Sequence, residues 1–221
     1  MKKSCGKKLW RACAGILLAL AVWITATPYA VAAETNGDAD SQAQEIRQIQ
    51  DNIVSWKAGT EGEKQLLAGE LLDGAGSPGS DWYAFTIARM GEEKENQAAY
   101  LSRLQDAVEN VYADLEDSKT RYRLSDIHRM ALTAMACGGD PENFGTDPDG
   151  NPINLIRDTV WNSLWGDPGD QGINGYIWAL LTIDAKNYQE PEGAEWTRDK
   201  IISELLSRQL ADGGFGLVKT D

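Results

Sequence analysis

Cysteine, histidine and positive charge are all scarce in this chain. Of its 221 residues three are cysteine and one is histidine, and 21 Lys and Arg stand against 34 Asp and Glu. Cys5 and Cys13 both fall within the first 33 residues, so a chain that has lost that segment keeps Cys137 alone and can close no internal disulfide. The apolar helical surroundings of Cys137 fit a packed thiol better than a reactive one. His128 precedes Cys137 by nine residues on one expected helix. Nine residues make about 2.5 turns, so the two side chains face different ways and cannot share a metal. The shortage of Lys and Arg argues against nucleic acid and anionic lipid surfaces as partners, since both reward positive charge. The excess of carboxylates is not by itself a cation site, because an acidic surface also serves solubility.

A membrane span is missing too. The apolar run Ala12 to Ala26 has 15 residues, short of the roughly 20 that a span needs. It follows a basic start (Lys2, Lys3, Lys7, Lys8, Arg11) and precedes the small-x-small triplet Ala30-Val31-Ala32. That layout predicts a signal peptide over residues 1–33, with an uncleaved N-terminal anchor as the alternative. An exported protein, extracellular or at the cell surface and without a transmembrane span after cleavage, is the expectation. The chain after cleavage keeps 16 basic against 34 acidic residues. Residues 34–44 (ETNGDADSQAQ) are polar and lack periodicity, which predicts a flexible leader.

What the chain does have is a repeated helix. Ser80-Asp81-Trp82-Tyr83-Ala84-Phe85-Thr86-Ile87 returns as Ser125-Asp126-Ile127-His128-Arg129-Met130-Ala131-Leu132 and again as Asn174-Gly175-Tyr176-Ile177-Trp178-Ala179-Leu180. Aligned on Asp81, Asp126 and Asn174, the copies start 45 and 48 residues apart. Each opens on a side chain suited to capping a helix. Almost every later position is apolar or small, which predicts helices buried on most sides. Other segments are one-sided. In Gln97 to Leu115 the residues Tyr100, Leu101, Leu104, Val108, Val111, Tyr112 and Leu115 form one stripe. Ile153–Leu164 and Arg198–Leu210 are expected to play the same part. Ile46, Ile49, Ile53, Val54 and Trp56 recur at helical spacing, Gly59 to Gly62 breaks that helix, and Gln65–Leu72 predicts a short one. Alternation of buried and half-exposed helices with a period in the forties predicts a helical array, an inner row covered by an outer one. The Asp147-Pro148-Asp149-Gly150-Asn151 segment has calcium-loop-like spacing, but its glycine is misplaced for an EF-hand and a plain turn is expected.

The last helix runs into Gln209-Leu210-Ala211-Asp212-Gly213-Gly214-Phe215. This resembles the repeat of the terpenoid cyclase and protein prenyltransferase superfamily, in which a helix ends in Gln, a spacer, Asp-Gly-Gly and an aromatic residue. The Ser80–Phe85 and Asn174–Leu181 segments are similar to those of exported bacterial members with prenyltransferase or squalene-oxidase repeats, and to the helical domain of cobalamin carriers such as transcobalamin. The resemblance covers about Ile46 to Gly216. It implies an all-α fold, an α/α toroid of six inner and six outer helices, of which this chain holds about half in a domain spanning 45–221. It also implies a fragment, whose open edge would be covered by the C-terminal remainder of the toroid or by a second chain. In this motif Gln209, Asp212, Gly213, Gly214 and Phe215 read as a structural staple between repeats, with glycine supplying positive φ. The Asp-x-Asp-Asp run of the protonating cyclases does not occur, and the Asp, Cys and His zinc set of the prenyltransferases has no counterpart here.

If the three inner helices are parallel, Tyr83, His128 and Tyr176 gather at one rim. Asp81, Trp82, Tyr83, Asp126, His128, Tyr176 and Trp178 are then the candidate lining of a ligand mouth; ordinary caps and core are the alternative for each. The favoured function is an exported module binding a small ligand, with a corrinoid as one candidate, or a surface protein; no cofactor is evident. Alternatives are a cyclase or transferase whose catalytic residues lie beyond Asp221, and a carbohydrate-active toroid using Trp161 and Trp165 beside Asp158, Asp167 and Asp170.

Overall fold

A computed structural model describes residues 28–62 and 64–217. The chain divides into two units, Met1–Trp56 and Lys57–Asp221. Residues 1–27 of the expected signal peptide lie outside the described residues.

The described part of the first unit belongs to one long helix, α1 (Pro28–Glu61). The stretch 34–44, expected to be a flexible leader, falls within the span of this helix. Ile46, Ile49, Ile53 and Trp56 do recur on this helix, and all four are exposed. The helix stops at the predicted break, where Gly62 takes φ 76°.

The second unit is helical, with no strand among the described residues beyond the isolated bridges Thr146–Pro152 and Gln209–Phe215. After a short α2 (Gly69–Asp73), it contains α3 (Pro78–Met90), α4 (Lys94–Ala113), α5 (Leu115–Arg121), α6 (Leu124–Ala136), α7 (Ile173–Asp184) and α8 (Arg198–Leu206). No described helix is long and apolar enough to cross a membrane.

The three repeated segments become α3, α6 and α7, and α6 packs between the other two. Their relative direction follows from cross-links. Arg129 and Thr133 of α6 donate to Asp81 of α3, while Cys137 Sγ approaches the Ala84 carbonyl. Advance along one helix matches advance along the other, so the pair is parallel. Likewise Ser125 N reaches Gln171 just before α7, and Lys186 Nζ reaches Gly139 O just after α6. A parallel neighbour requires a return path. Between α3 and α6 the chain returns along α4, which packs on both and buries Tyr100, Leu104, Val108, Val111 and Tyr112 as the stripe predicts. That helix ends at Ala113, two residues short of the expected Leu115, where the Asp114 side chain caps α5 by accepting from Asp117 N.

The second return departs from expectation. Ile153–Leu164 was expected to be a half-exposed amphipathic helix. The helical part is short and ends in the π-helical turn Arg157–Trp161. Its residues Leu155, Ile156, Asp158, Thr159, Val160 and Trp161 are buried. Polar Asp158 and Thr159 pass for an exposed face in the sequence but are bonded internally. The last outer helix, α8, is shorter than expected and buries Ile201 alone.

Close backbone approach fixes α7 against the short 3₁₀ turn Pro168–Gln171. A Cβ built on Gly175 would strike the Pro168 carbonyl oxygen. Gly175→Ala is expected to destabilise the fold by about 1–3 kcal/mol, as overpacking against backbone does. Chemical denaturation against the parent protein measures the loss.

Candidate functional site

The polar centre of the molecule lies where α3 and α6 begin. The Asp81 side chain is fully buried. It accepts hydrogen bonds from Tyr100 Oη at 2.7 Å, Gly76 N at 2.8 Å and Arg129 Nε at 3.0 Å. The Arg129 guanidinium goes on to Asp126 Oδ1 at 2.7 Å and the Gly76 carbonyl at 2.9 Å. Burial pushes the Asp81 carboxyl up from its ordinary range, while Tyr100, Gly76 and Arg129 pull it down. The same burial, with Asp81 beside it, raises the Tyr100 hydroxyl well above its usual range. Every polar group is paired, which makes this a joint between α3, α4 and α6 and not a reactive centre.

Asp81, Asp126 and Asn174 therefore do not open their helices. The cap of α3 is Ser77, followed by Pro78 at the first helical position, and the helix starts earlier than the repeat alignment implies. Asp126 sits in the first turn of α6 and accepts from Arg123 N at 2.9 Å. Asn174 is an exposed first-turn residue of α7.

The slot residues Tyr83, His128 and Tyr176 do not gather at one rim. The Tyr83 ring lies 5.3 Å below Lys57 Nζ. His128 is fully buried, with Nε2 3.2 Å from the Thr159 carbonyl. Its Nδ1 has no hydrogen-bond partner among the described residues. Burial lowers the imidazole to about 4, so His128 is neutral at ordinary pH. Tyr176 is buried between Trp196 and the Arg208 guanidinium, and its hydroxyl donates to Asp167 at 3.1 Å. Each slot side chain thus meets its own local partners. Cys137 is buried, and burial raises its thiol to about 11.

Two of the seven candidates do meet. Trp82 of α3 and Trp178 of α7 have ring centroids 5.7 Å apart at 38°, and Phe85 stands edge-on to Trp82 at 5.9 Å. They line an open trough of about 550 Å³. Leu132 and Met135 of α6 form its floor and Leu181 extends its wall. Trp82 and Leu181 are large apolar residues left 40% and 50% exposed. The side chains come from Trp82, Phe85 and Arg89 on one helix and Trp178, Leu181 and Ala185 on the other, the same spacing of three and seven residues. That spacing is a helix face, visible in the sequence once the two copies are compared by their stripes and not by their first residues. Arg89, Asp184 and Lys186 close one end.

Of the residues in the carbohydrate alternative, Asp158, Trp161 and Asp167 have structural partners or are buried. Asp158 accepts from Tyr112 Oη at 3.2 Å and Arg157 Nε at 2.6 Å, and Trp161 is buried. Asp167 Oδ1 accepts from Gly169 N as well as Tyr176. Asp147 Oδ1 accepts from the Asp149 and Asn151 backbone, a plain turn. No group of three or more His, Cys, Asp or Glu able to hold a metal occurs among the described residues.

The Gln209–Phe215 segment folds on itself. Gln209 pairs with Phe215 in a bridge, its side chain donates to the Gly213 carbonyl at 3.3 Å, and Gly213 takes φ 87°. Asp212 Oδ1 accepts from Gly214 N at 2.9 Å. Phe215 is 44% exposed and so fills no gap among the described residues. Beyond it, the Leu217 carbonyl accepts from Ile173 N at the start of α7 at 2.8 Å. Comparison with family models, curated proteins and solved structures finds no match for this chain.

Proposed function

We propose that this chain is a binding module that holds a small apolar ligand in the trough between α3, α6 and α7, built as part of an α/α toroid whose inner row these three helices form. The carrying observation is the Trp82–Trp178 pair, in which Trp82 is exposed and Trp178 half-buried, with Leu181 exposed beside them. Trp82 and Leu181 left exposed, with Trp178 and Phe85 half-buried beside them, cost burial that a ligand would recover, at about 25 cal/mol per Å². The volume lies within the range of small-molecule sites. A corrinoid, if it binds, would be expected at this same face. Export to the cell exterior is part of the proposal and rests on the N-terminal sequence pattern alone.

The neutral fluorophore N-phenyl-1-naphthylamine is expected to bind the folded protein with one site and a rise in emission. Trp178→Ala is expected to weaken that binding at least about tenfold, since an aromatic contact and its buried area are lost together. No binding by the parent protein, or equal binding by a Trp82→Ala/Trp178→Ala double variant, would overturn the reading.

A further inference from the structure

Resting on the reading of the trough as a ligand site, we infer that its occupant is a fatty-acid-like amphiphile, an apolar chain whose single carboxylate is received by Arg89. The trough is charged at one end only, where Arg89, Asp184 and Lys186 stand. Asp184 is occupied by its ion pair with Arg198, and Lys186 Nζ leans on the Gly139 carbonyl at 3.4 Å. Arg89 makes no hydrogen bond or ion pair among the described residues.

The ordinary use of a cation in the last turn of a helix is to meet free terminal carbonyls. Here that work is already done by backbone. Gly91 N and Glu92 N take the Ala88 and Ile87 carbonyls of α3. Gly138 N and Gly139 N take those of Met135 and Ala134, and Asn187 N and Tyr188 N those of Asp184 and Ile183. The guanidinium is therefore left open at the mouth of an apolar trough. Its planar fork suits a carboxylate, which it can meet with two parallel hydrogen bonds. In a chain with 34 acidic against 21 basic residues, Arg89 lines the same trough as Trp82, Phe85 and Trp178. Of the two cations at this end, only Arg89 has a planar fork that can grip one carboxylate through both its oxygens.

The test is displacement of bound N-phenyl-1-naphthylamine by sodium decanoate and by decan-1-ol at neutral pH, in the parent protein and in Arg89→Gln. Decanoate is expected to displace about tenfold more effectively than decanol from the parent. Arg89→Gln is expected to remove that preference while leaving decanol unchanged, and Arg89→Lys to restore part of it. A purely helix-stabilising Arg89 would not separate the two head groups. Equal displacement by acid and alcohol, or a decanoate affinity indifferent to Arg89→Gln, would overturn the carboxylate assignment and leave the trough standing. Failure of the fluorophore itself to bind would overturn the reading on which the assignment rests.

Discussion

Asp81→Asn is expected to lower the stability of the fold by about 3–5 kcal/mol, the cost of leaving one member of a buried ion pair without its partner. The Arg129 side chain is buried. With the carboxylate gone, its Nε faces an amide that can match only part of the charge, and Tyr100 Oη and Gly76 N lose an ionised acceptor. Three segments are loosened by one substitution: the turn before α3, the middle of α4 and the start of α6. Denaturant unfolding should show a lower midpoint with an unchanged slope. Tyr100→Phe removes a single donor and should cost about 1 kcal/mol or somewhat more, so the ratio between the two variants measures how much of the effect belongs to the charge. Comparable losses from both would mean that Asp81 acts as a plain hydrogen-bond acceptor and not as the counter-ion of Arg129.

Acidification is expected to destabilise the protein between about pH 6.5 and pH 4 through a single group. His128 is the only histidine in the chain. Its imidazole is lowered from 6.5 to about 4 by burial, against a weaker opposing effect of the Thr159 carbonyl. In that window the unfolded chain takes up a proton that the folded chain refuses. The contribution is therefore full above the unfolded value and is lost as pH falls through the folded one, roughly 3 kcal/mol in all. Asp81 has the opposite sign, since a raised carboxyl contributes stability at low pH that is lost as pH rises. Comparison with His128→Gln, which keeps a donor for the Thr159 carbonyl, isolates the histidine. The parent should lose stability relative to the variant as pH falls from 6.5 to 4, Asp81 acting alike in both. Parallel profiles for the two proteins would show that His128 does not remain neutral in the folded state.

Much of the helical order was legible because long apolar stripes leave few alternatives. Tyr100, Leu104, Val108 and Val111 mark α4, and the dense apolar runs after Asp81, Asp126 and Asn174 mark three buried neighbours. The misreadings have specific causes. A segment such as Ile153–Leu164 carries polar Asp158 and Thr159, and nothing in the sequence says that Tyr112 and Leu155 wait to bond them. Asp81 looks like a cap because caps are its commonest use, yet Ser77 holds that place and Asp81 turns back to Gly76 and across to Arg129. Alignment by first residues also put Tyr83, His128 and Tyr176 in one slot. The helices start at different points relative to those residues, so equal sequence offsets became unequal directions. The trough residues Arg89, Leu132, Met135, Leu181 and Lys186 were missed for that reason, although Trp82–Phe85–Arg89 and Trp178–Leu181–Ala185 share one spacing.

The central claim is that the Trp82–Trp178 face holds a ligand, and fluorine NMR of protein containing 5-fluorotryptophan tests it residue by residue. On titration with N-phenyl-1-naphthylamine, the Trp82 and Trp178 resonances, assigned by single Trp→Phe variants, should shift along one saturation curve. Those of buried Trp161 and Trp196 should stay in place. Stationary Trp82 and Trp178 signals, or a saturable shift confined to Trp161 and Trp165, would contradict the account and move the site to another face of the molecule.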